Sequence, residues 1–234
     1  MKKGIAIIPA RGGSKRLPRK NIRLLNGKPL IYYTLEAVKQ SKLFSKIILS
    51  SDDDDILEHG SKVDGITIEK RDKSLAEDNV KVIDLVKKIA SREVSHFDYI
   101  GLFLPTCPFR TSKHIVDGFK LLTRDDFSVV STTEMQDPIQ LSMTIGNNNI
   151  TNPEAILNPS PLVTGNTRSQ DFETYYRVNG GFYISWLDKF VEKDNFFQGI
   201  TKAYKMSNLH SVDIDYELDF KWAEYLLKNK YITL

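Results

Sequence analysis

Along the first two thirds of this 234-residue chain, short apolar runs alternate with stretches whose apolar positions recur at helical spacing. Residues 5–8, 46–50, 66–68, 99–104 and 128–131 are brief and apolar, the pattern of buried strands. Between them Leu30, Tyr33, Thr34 and Ala37 share one helical face behind Pro29, a favourable first helical residue. Val82, Leu85, Val86 and Ile89 repeat the pattern, as do Ile115, Phe119 and Leu122 behind Ser112. Strands that alternate with helices of this length predict an α/β fold, a mostly parallel sheet covered on both faces. Ligands of such sheets bind at the carboxyl ends of the strands, so the loop after Ile8 is the first place to look for chemistry.

Over residues 134–176 the helical period fades. Pro138, Pro153, Pro159 and Pro161, with Asn147-Asn148-Asn149, break the chain into short extended pieces. Alternation resumes at 181–184, where Asn179-Gly180 reads as a turn into a strand, and residues 216–228 read as a closing helix. The expected organisation is one α/β domain, residues 1–133 and 177–234, with residues 134–176 as an insertion.

Composition narrows the class. A 41% hydrophobic chain of this length buries a sound core, and no apolar run approaches a signal peptide or a membrane span. The single cysteine, Cys107, excludes an internal disulfide and suits a reducing cytoplasm. Net charge is only +3, so the basic character of the N-terminal region is local rather than a nucleic-acid signal. That region is pronounced: nine Lys or Arg precede the first carboxylate, Glu36. Five of them fall within residues 11–20, where they repel one another unless an anion sits among them. Gly12 and Gly13 let a backbone approach such an anion and offer it N–H donors. A polyphosphate meets these demands; a solvated basic loop is the plainer alternative. Neither the Walker order nor Gly-x-Gly-x-x-Gly is present, and Pro9, Gly12, Gly13 and Pro18 forbid the amphipathic helix of a transit peptide.

A second acidic feature lies far along the chain, in Val212-Asp213-Ile214-Asp215-Tyr216-Glu217-Leu218-Asp219. If the segment is extended, Asp213 and Asp215 share a face while Val212 and Ile214 turn inward, and two hard oxygen donors suit Mg²⁺. Alternatively Asp215 caps a helix, with Glu217 and Asp219 favourable in its first turn. The run Asp52 to Asp55 reads as a helix start, with Asp52 near any nucleotide. His59, His96, His114 and His210 lack ligand spacing, and Cys107 has no activating neighbour in sequence.

The run Ala10-Arg11-x-x-Ser14-Lys15-Arg16-Leu17-Pro18-x-Lys20-Asn21, followed by Gly27-Lys28-Pro29-Leu30, resembles the signature of bacterial CMP-sialic acid synthetases, the acylneuraminate cytidylyltransferases. The likeness extends over nearly the whole chain. It implies a three-layer Rossmann-like fold of the nucleotidyltransferase type, with residues 134–176 as a dimerisation arm. It also implies transfer of a cytidylyl group from CTP to a nonulosonic acid, with Mg²⁺ as cofactor. Arg11, Gly12, Ser14, Lys15, Lys20 and Asn21 would then hold the triphosphate, with Arg11 and Lys20 offsetting charge during transfer. Arg71, in a segment similar to the family's Arg-Pro-x-x-Leu-Ala-x-Asp, would face the base. Asp213 and Asp215 would bind the metal, and Asp215, or a water it orients, would take the hydroxyl proton. Arg19 and Arg23 are expected to be solvated.

Leu104, Arg168, Gln170 and Arg177 match segments near the sugar. The family commonly carries Gln where this chain has Leu104, Ser where it has Cys107, and Lys near the arm's Gln140. These departures leave sialic, legionaminic and pseudaminic acids open as substrates. The alternatives are a nucleotidyltransferase for another sugar acid such as Kdo, and a nucleotide sensor without activity. Partners beyond the two substrates reduce to a second copy of the chain, with neither nucleic acid nor membrane expected.

Overall fold

The computed structural model describes residues 2–72 and 80–233 and confirms an α/β architecture. In chain order the main elements are β1 (Gly4–Pro9), α1 (Leu30–Ser41), β4 (Phe44–Ser51), α2 (Asp54–Ser61), β5 (Ile66–Lys70), α3 (Val82–Glu93), β6 (Tyr99–Leu102), α4 (Ser112–Lys120), β7 (Ser128–Glu134), β10 (Tyr176–Trp186), α6 (Leu187–Lys193), β11 (Thr201–Met206) and α7 (Glu217–Lys228). A small hairpin, β2 (Leu24–Leu25) with β3 (Lys28–Pro29), precedes α1. The seven-stranded sheet has the order β11-β7-β10-β6-β1-β4-β5.

β1 is parallel to both β4 and β6, and β4 is parallel to β5, as crossovers through helices require. β10 instead runs antiparallel to β6, because the chain reaches it from the proline-rich excursion and not through a crossover helix. Strand alternation divides the core. Ile5 and Ile7 face α3 and α6 through Leu85, Val86, Ile89, Leu187 and Phe190. Ala6 and Ile8 face α1, α2 and α4 through Ile31, Leu35, Ile56 and Ile115. Helices therefore cover both faces in three layers. A third cluster packs Leu17 and Leu25 against Ile214, Phe220, Ala223 and Leu226, binding the N-terminal loop to α7.

Three expectations change. β6 ends at Leu102, two residues early, where Phe103 N–H still reaches the Ile7 carbonyl (3.0 Å) before Pro105 turns the chain. Asn179-Gly180 is no turn but lies inside β10, with Gly180 at φ 72°. Asn179 is buried there, its amide tied to Ser131 (2.6 Å) and Ser211 (2.8 Å). Residues 212–215 belong to no strand, although Ile214 is buried and its N–H donates to the Thr106 carbonyl at 2.8 Å.

Chain contacts divide the protein into two compact units, Met1–Thr132 with Val178–Leu234, and Thr133–Arg177. The second holds the hairpin β8 (Thr144–Gly146) with β9 (Asn149–Asn152) and the short α5 (Pro161–Thr164). Gln140 is buried in it, its amide donating to the Glu173 carbonyl at 2.8 Å. No described helix is long and apolar enough to cross a membrane.

The histidines carry a pH dependence of stability. His114 Nδ1 accepts the Thr111 N–H (3.2 Å) in the capping box of α4, which requires an unprotonated ring nitrogen. Burial, then the charges of His210, Lys113 and Arg110, push its pKa down to about 4, against the pull of Asp117. Below the ordinary value the unfolded chain takes up this proton while the folded protein does not, so stability is lost as pH falls from about 6.5 to 4. Partial exposure screens the effect, leaving on the order of 1–2 kcal/mol. His114→Gln keeps a capping acceptor and is expected to flatten that loss in urea unfolding at pH 4.5 and 7; an unchanged slope would assign it to other groups.

Candidate active site

At the carboxyl ends of β1 and β6 lies a cavity of about 390 Å³. It is lined by Arg11, Ser14, Lys15, Lys20 and Asn21 of the N-terminal loop, by Arg71 after β5, by Leu104 after β6, and by Asp213 and Asp215. Residues separated by two hundred positions thus meet in one concavity, where the sheet topology places ligands.

The N-terminal loop is held from several sides. Asn21 is buried and its amide donates to the Arg11 carbonyl at 2.9 Å, closing the loop on itself. Lys20 sits in a single 3₁₀ turn, Lys20–Ile22, behind Arg19 in the left-handed region. Its Nζ donates to the Ile214 carbonyl (2.7 Å) and to Asp215 Oδ1 (2.9 Å). Arg16 reaches the other oxygen, Asp215 Oδ2, at 2.7 Å, and lies over the Tyr216 ring. Asp215 therefore faces two cations. Burial alone would raise its pKa, but Lys20 and Arg16 outweigh it and hold the carboxyl below the ordinary carboxylate range. Asp215, the expected proton acceptor, is thus held as a carboxylate between two cations at the edge of the cavity.

Asp215 is not a helix cap either. Asp219 Oδ2 accepts N–H bonds from Asp215 (2.9 Å) and Tyr216 (2.8 Å), so the α7 terminus is capped from inside its first turn and the Asp215 carboxylate stays available to the cavity. Gly12 has a different role from the one expected. Its N–H donates to Asp52 Oδ1 at 3.1 Å, and a Cβ there would lie 2.6 Å from Asp53 Oδ2. Glycine is required by that close approach. Asp53 caps α2 by accepting the Ile56 N–H (3.1 Å).

Arg19 and Arg23, expected to be solvated, do keep exposure of 49% and 34%, and each also makes an ion pair. Arg19 pairs with Asp53 (2.9 Å) and Asp55, whereas Arg23 grips both oxygens of Glu217 and covers the Phe220 ring. Arg71 is only 8% exposed and stands 3.7 Å from Asp52. Burial lowers its pKa despite Asp52, with Arg11 adding to the decrease.

Arg110 was not singled out by sequence. It is fully buried with no carboxylate partner among the described residues, donating to the carbonyls of Leu104 (3.3 Å) and Gly181 (2.5 Å) and to Thr34 Oγ1 (2.5 Å). Burial brings its pKa down to about 10, so it remains cationic at neutral pH while fixing the loop behind Leu104. Leu104 packs towards Gly180, where a Cβ would come within 3.3 Å of its Cδ1.

The remaining sugar-site candidates belong to the other unit. Arg168 precedes the turn Ser169–Asp171, which contains Gln170, and lies 3.7 Å from Asp171; Arg177 is the second residue of β10. Of the expected base-binding segment, residues 73–79 fall outside the described residues. Cys107 is buried, within 3.6 Å of the His210 carbonyl. Among the described residues no cluster of three metal-binding side chains occurs, so Asp213 and Asp215 are the carboxylates bordering the basic loop's cavity.

Several known proteins are similar to this chain along most of its length. A CMP-N,N'-diacetyllegionaminic acid synthase of Legionella pneumophila is 33% identical over 239 residues, covering 96% of each chain. A pseudaminic acid cytidylyltransferase of Campylobacter jejuni is 30% identical, with 97% of each chain covered. An N-acylneuraminate cytidylyltransferase of Escherichia coli is 32% identical over 97% of this chain, which spans 52% of that protein. Among solved structures, a CMP:2-keto-3-deoxy-manno-octonic acid synthetase complexed with CTP superposes with a TM-score of 0.70 at 14% identity, over 98% of this chain and 100% of that one. That likeness establishes the nucleotidyltransferase fold. With the cytidylyltransferase family profile matching residues 5–232, the chain belongs to the cytidylyltransferase family and is a nucleotidyltransferase.

Proposed function

We propose that the protein couples CTP to a nonulosonic acid, giving the CMP-sugar and pyrophosphate. The observation that carries this reading is one cavity that joins the cations Arg11, Lys15 and Lys20 to Arg71 and to the pair Asp213 and Asp215. The legionaminic, pseudaminic and acylneuraminic names of similar proteins support the sugar class. The anomeric hydroxyl attacks the α-phosphorus in line and gives its proton to a water oriented by Asp215, the bond to the bridging oxygen breaks, and pyrophosphate leaves. Lys15, Lys20 and Arg11 surround the phosphates and offset the charge that moves onto the leaving group. Arg71 supplies donors to acceptors on the base.

The donor set fits Mg²⁺. Two protein carboxylates suffice for an ion that keeps several waters and takes phosphate oxygens as further ligands. Asp213 and Asp215 would hold it, with one of the cationic contacts of Asp215 giving way. When bound, the ion supplies Lewis-acid stabilisation of the phosphoryl oxygens.

The unit Thr133–Arg177 is read as a dimerisation arm, supported by Ile145, Ile150 and Val163, which it leaves exposed. Sedimentation is expected to report a dimer, and a fully active monomer would remove that role. The buried thiol of Cys107 suits a reducing cytoplasm. The main test is pyrophosphate release from CTP with N,N'-diacetyllegionaminic, pseudaminic and N-acetylneuraminic acids, and with Kdo for contrast. Release with one or more of the first three is expected. Turnover with Kdo alone would refute the sugar class.

A further inference from the structure

The carboxyl ends of three neighbouring parallel strands, β1, β4 and β5, bring Gly12, Asp52 and Arg71 side by side. Two backbone bonds set this register: Ala10 N–H to the Ser50 carbonyl (3.0 Å) and Arg71 N–H to the Ser51 carbonyl (2.8 Å). Asp52 stands between them. Its Oδ1 accepts the Gly12 N–H at 3.1 Å and lies 3.7 Å from Arg71 Nη2.

Arg71 needs such a neighbour. A guanidinium cannot shed its proton at neutral pH, and burying it without a counter-charge is strongly unfavourable. The positive charge of Arg11 makes this worse, and Asp52 is the carboxylate that opposes it. The separation of 3.7 Å is too long for a hydrogen bond, so Asp52 holds the guanidinium by charge without occupying its donors. Nε and Nη2 of Arg71 are buried and make no hydrogen bond among the described residues. They are left for the acceptors of a ligand.

We infer that Asp52 is a positioning residue that couples the phosphate loop to Arg71, one carboxylate setting the separation between the triphosphate and base ends of the nucleotide site. The inference rests on the reading of the cavity as a CTP site. In-line attack demands that the α-phosphorus be held in place while the base is recognised some way off, so the two ends must share a rigid reference. Gly12 and Arg71 share Asp52. Cytosine offers acceptors at O2 and N3, whereas uracil carries a hydrogen on N3. A guanidinium aligned on both acceptors therefore favours CTP over UTP.

Asp52→Asn keeps an oxygen acceptor for the Gly12 N–H and removes the charge facing Arg71. The expected result is a KM for CTP raised about tenfold, as loss of a charge-assisted contact gives. Turnover number is expected to stay within about twofold and the preference for CTP over UTP to fall about fivefold or more, because the loss is in alignment of the base. Competitive inhibition by inorganic tripolyphosphate, which senses the phosphate loop alone, is expected to be unchanged. In an Arg71→Ala background, Asp52→Asn is expected to add less than about a twofold change, since residues that act through one another are not additive.

Equal losses in KM, turnover and tripolyphosphate inhibition, or full additivity with Arg71→Ala, would make Asp52 a mere loop support and overturn the inference. Asp52→Glu, which retains the charge, provides a second variant should the amide fail to fold; retention of the CTP preference in it supports the coupling and loss of tripolyphosphate inhibition opposes it. Absence of CTP-dependent turnover in the wild-type protein is a separate outcome, which would overturn the proposed reaction and this inference together.

Discussion

Lys20→Ala is expected to lower turnover by about 10²-fold or more, the scale of losing one preorganised electrostatic contact at a transition state. The side chain is well placed for that effect: it is 11% exposed, and its Nζ is fixed by the Ile214 carbonyl and Asp215 at 2.7 and 2.9 Å. An ammonium already oriented by the protein needs no reorganisation when charge moves toward the leaving phosphate. Removing it also leaves Arg16 as the remaining cation on Asp215 among the described residues, and Arg16 is half exposed and screened by solvent. Steady-state pyrophosphate release with saturating CTP measures the change directly. Lys20→Arg keeps the charge but alters the point geometry of the ammonium, so it is expected to recover only part of the rate. Wild-type turnover in Lys20→Ala would dissociate the loop from the chemistry.

The second large effect concerns the two aspartates. Asp213→Asn is expected to raise the Mg²⁺ concentration needed for half-maximal activity and to lower the maximum, because an amide keeps one oxygen donor but loses the charge. Asp219→Asn supplies the contrast. Among the described residues Asp219 meets the site by accepting the N–H groups of Asp215 and Tyr216, and an amide oxygen can still accept them. Its metal requirement is therefore expected to be unchanged, with a stability loss of about 0.5–1 kcal/mol from the weakened cap. Titrating Mg²⁺ against pyrophosphate release for both variants separates the roles. An unaltered midpoint in Asp213→Asn would leave that carboxylate without a part in metal binding.

What sequence made legible was local. Short apolar runs and helical spacing marked the strands and helices, because a central strand buries both faces and a covering helix one, and Ile5 and Ile7 do diverge from Ala6 and Ile8. The cationic loop was visible because five charges in ten residues are unfavourable without an anion. Long-range pairing was not legible. Arg19 and Arg23 look solvated until folding brings Asp53 and Glu217 against them. Arg110 gives no sequence signal, since only the closure of the loop between β6 and α4 supplies the carbonyls that replace its water. Asp219 as a cap, and Asp215 as a free-standing carboxylate between two cations, depend on where α7 begins, a boundary that periodicity locates poorly.

The contacts Arg16 to Asp215, Lys20 to Ile214 and Arg23 to Glu217 join positions nearly two hundred residues apart. During synthesis the basic loop leaves the ribosome long before its acidic counterpart exists. Arg19 finds Asp53 and Asp55 soon after β4 is made, whereas Arg16 and Lys20 must wait for Asp215 while β4, β5 and β6 assemble beside them. Domains of this size emerge over some tens of seconds at about 5–20 residues per second. The two ends of the chain therefore meet last, and the charges around the cavity are balanced only once the segment leading into α7 has been made.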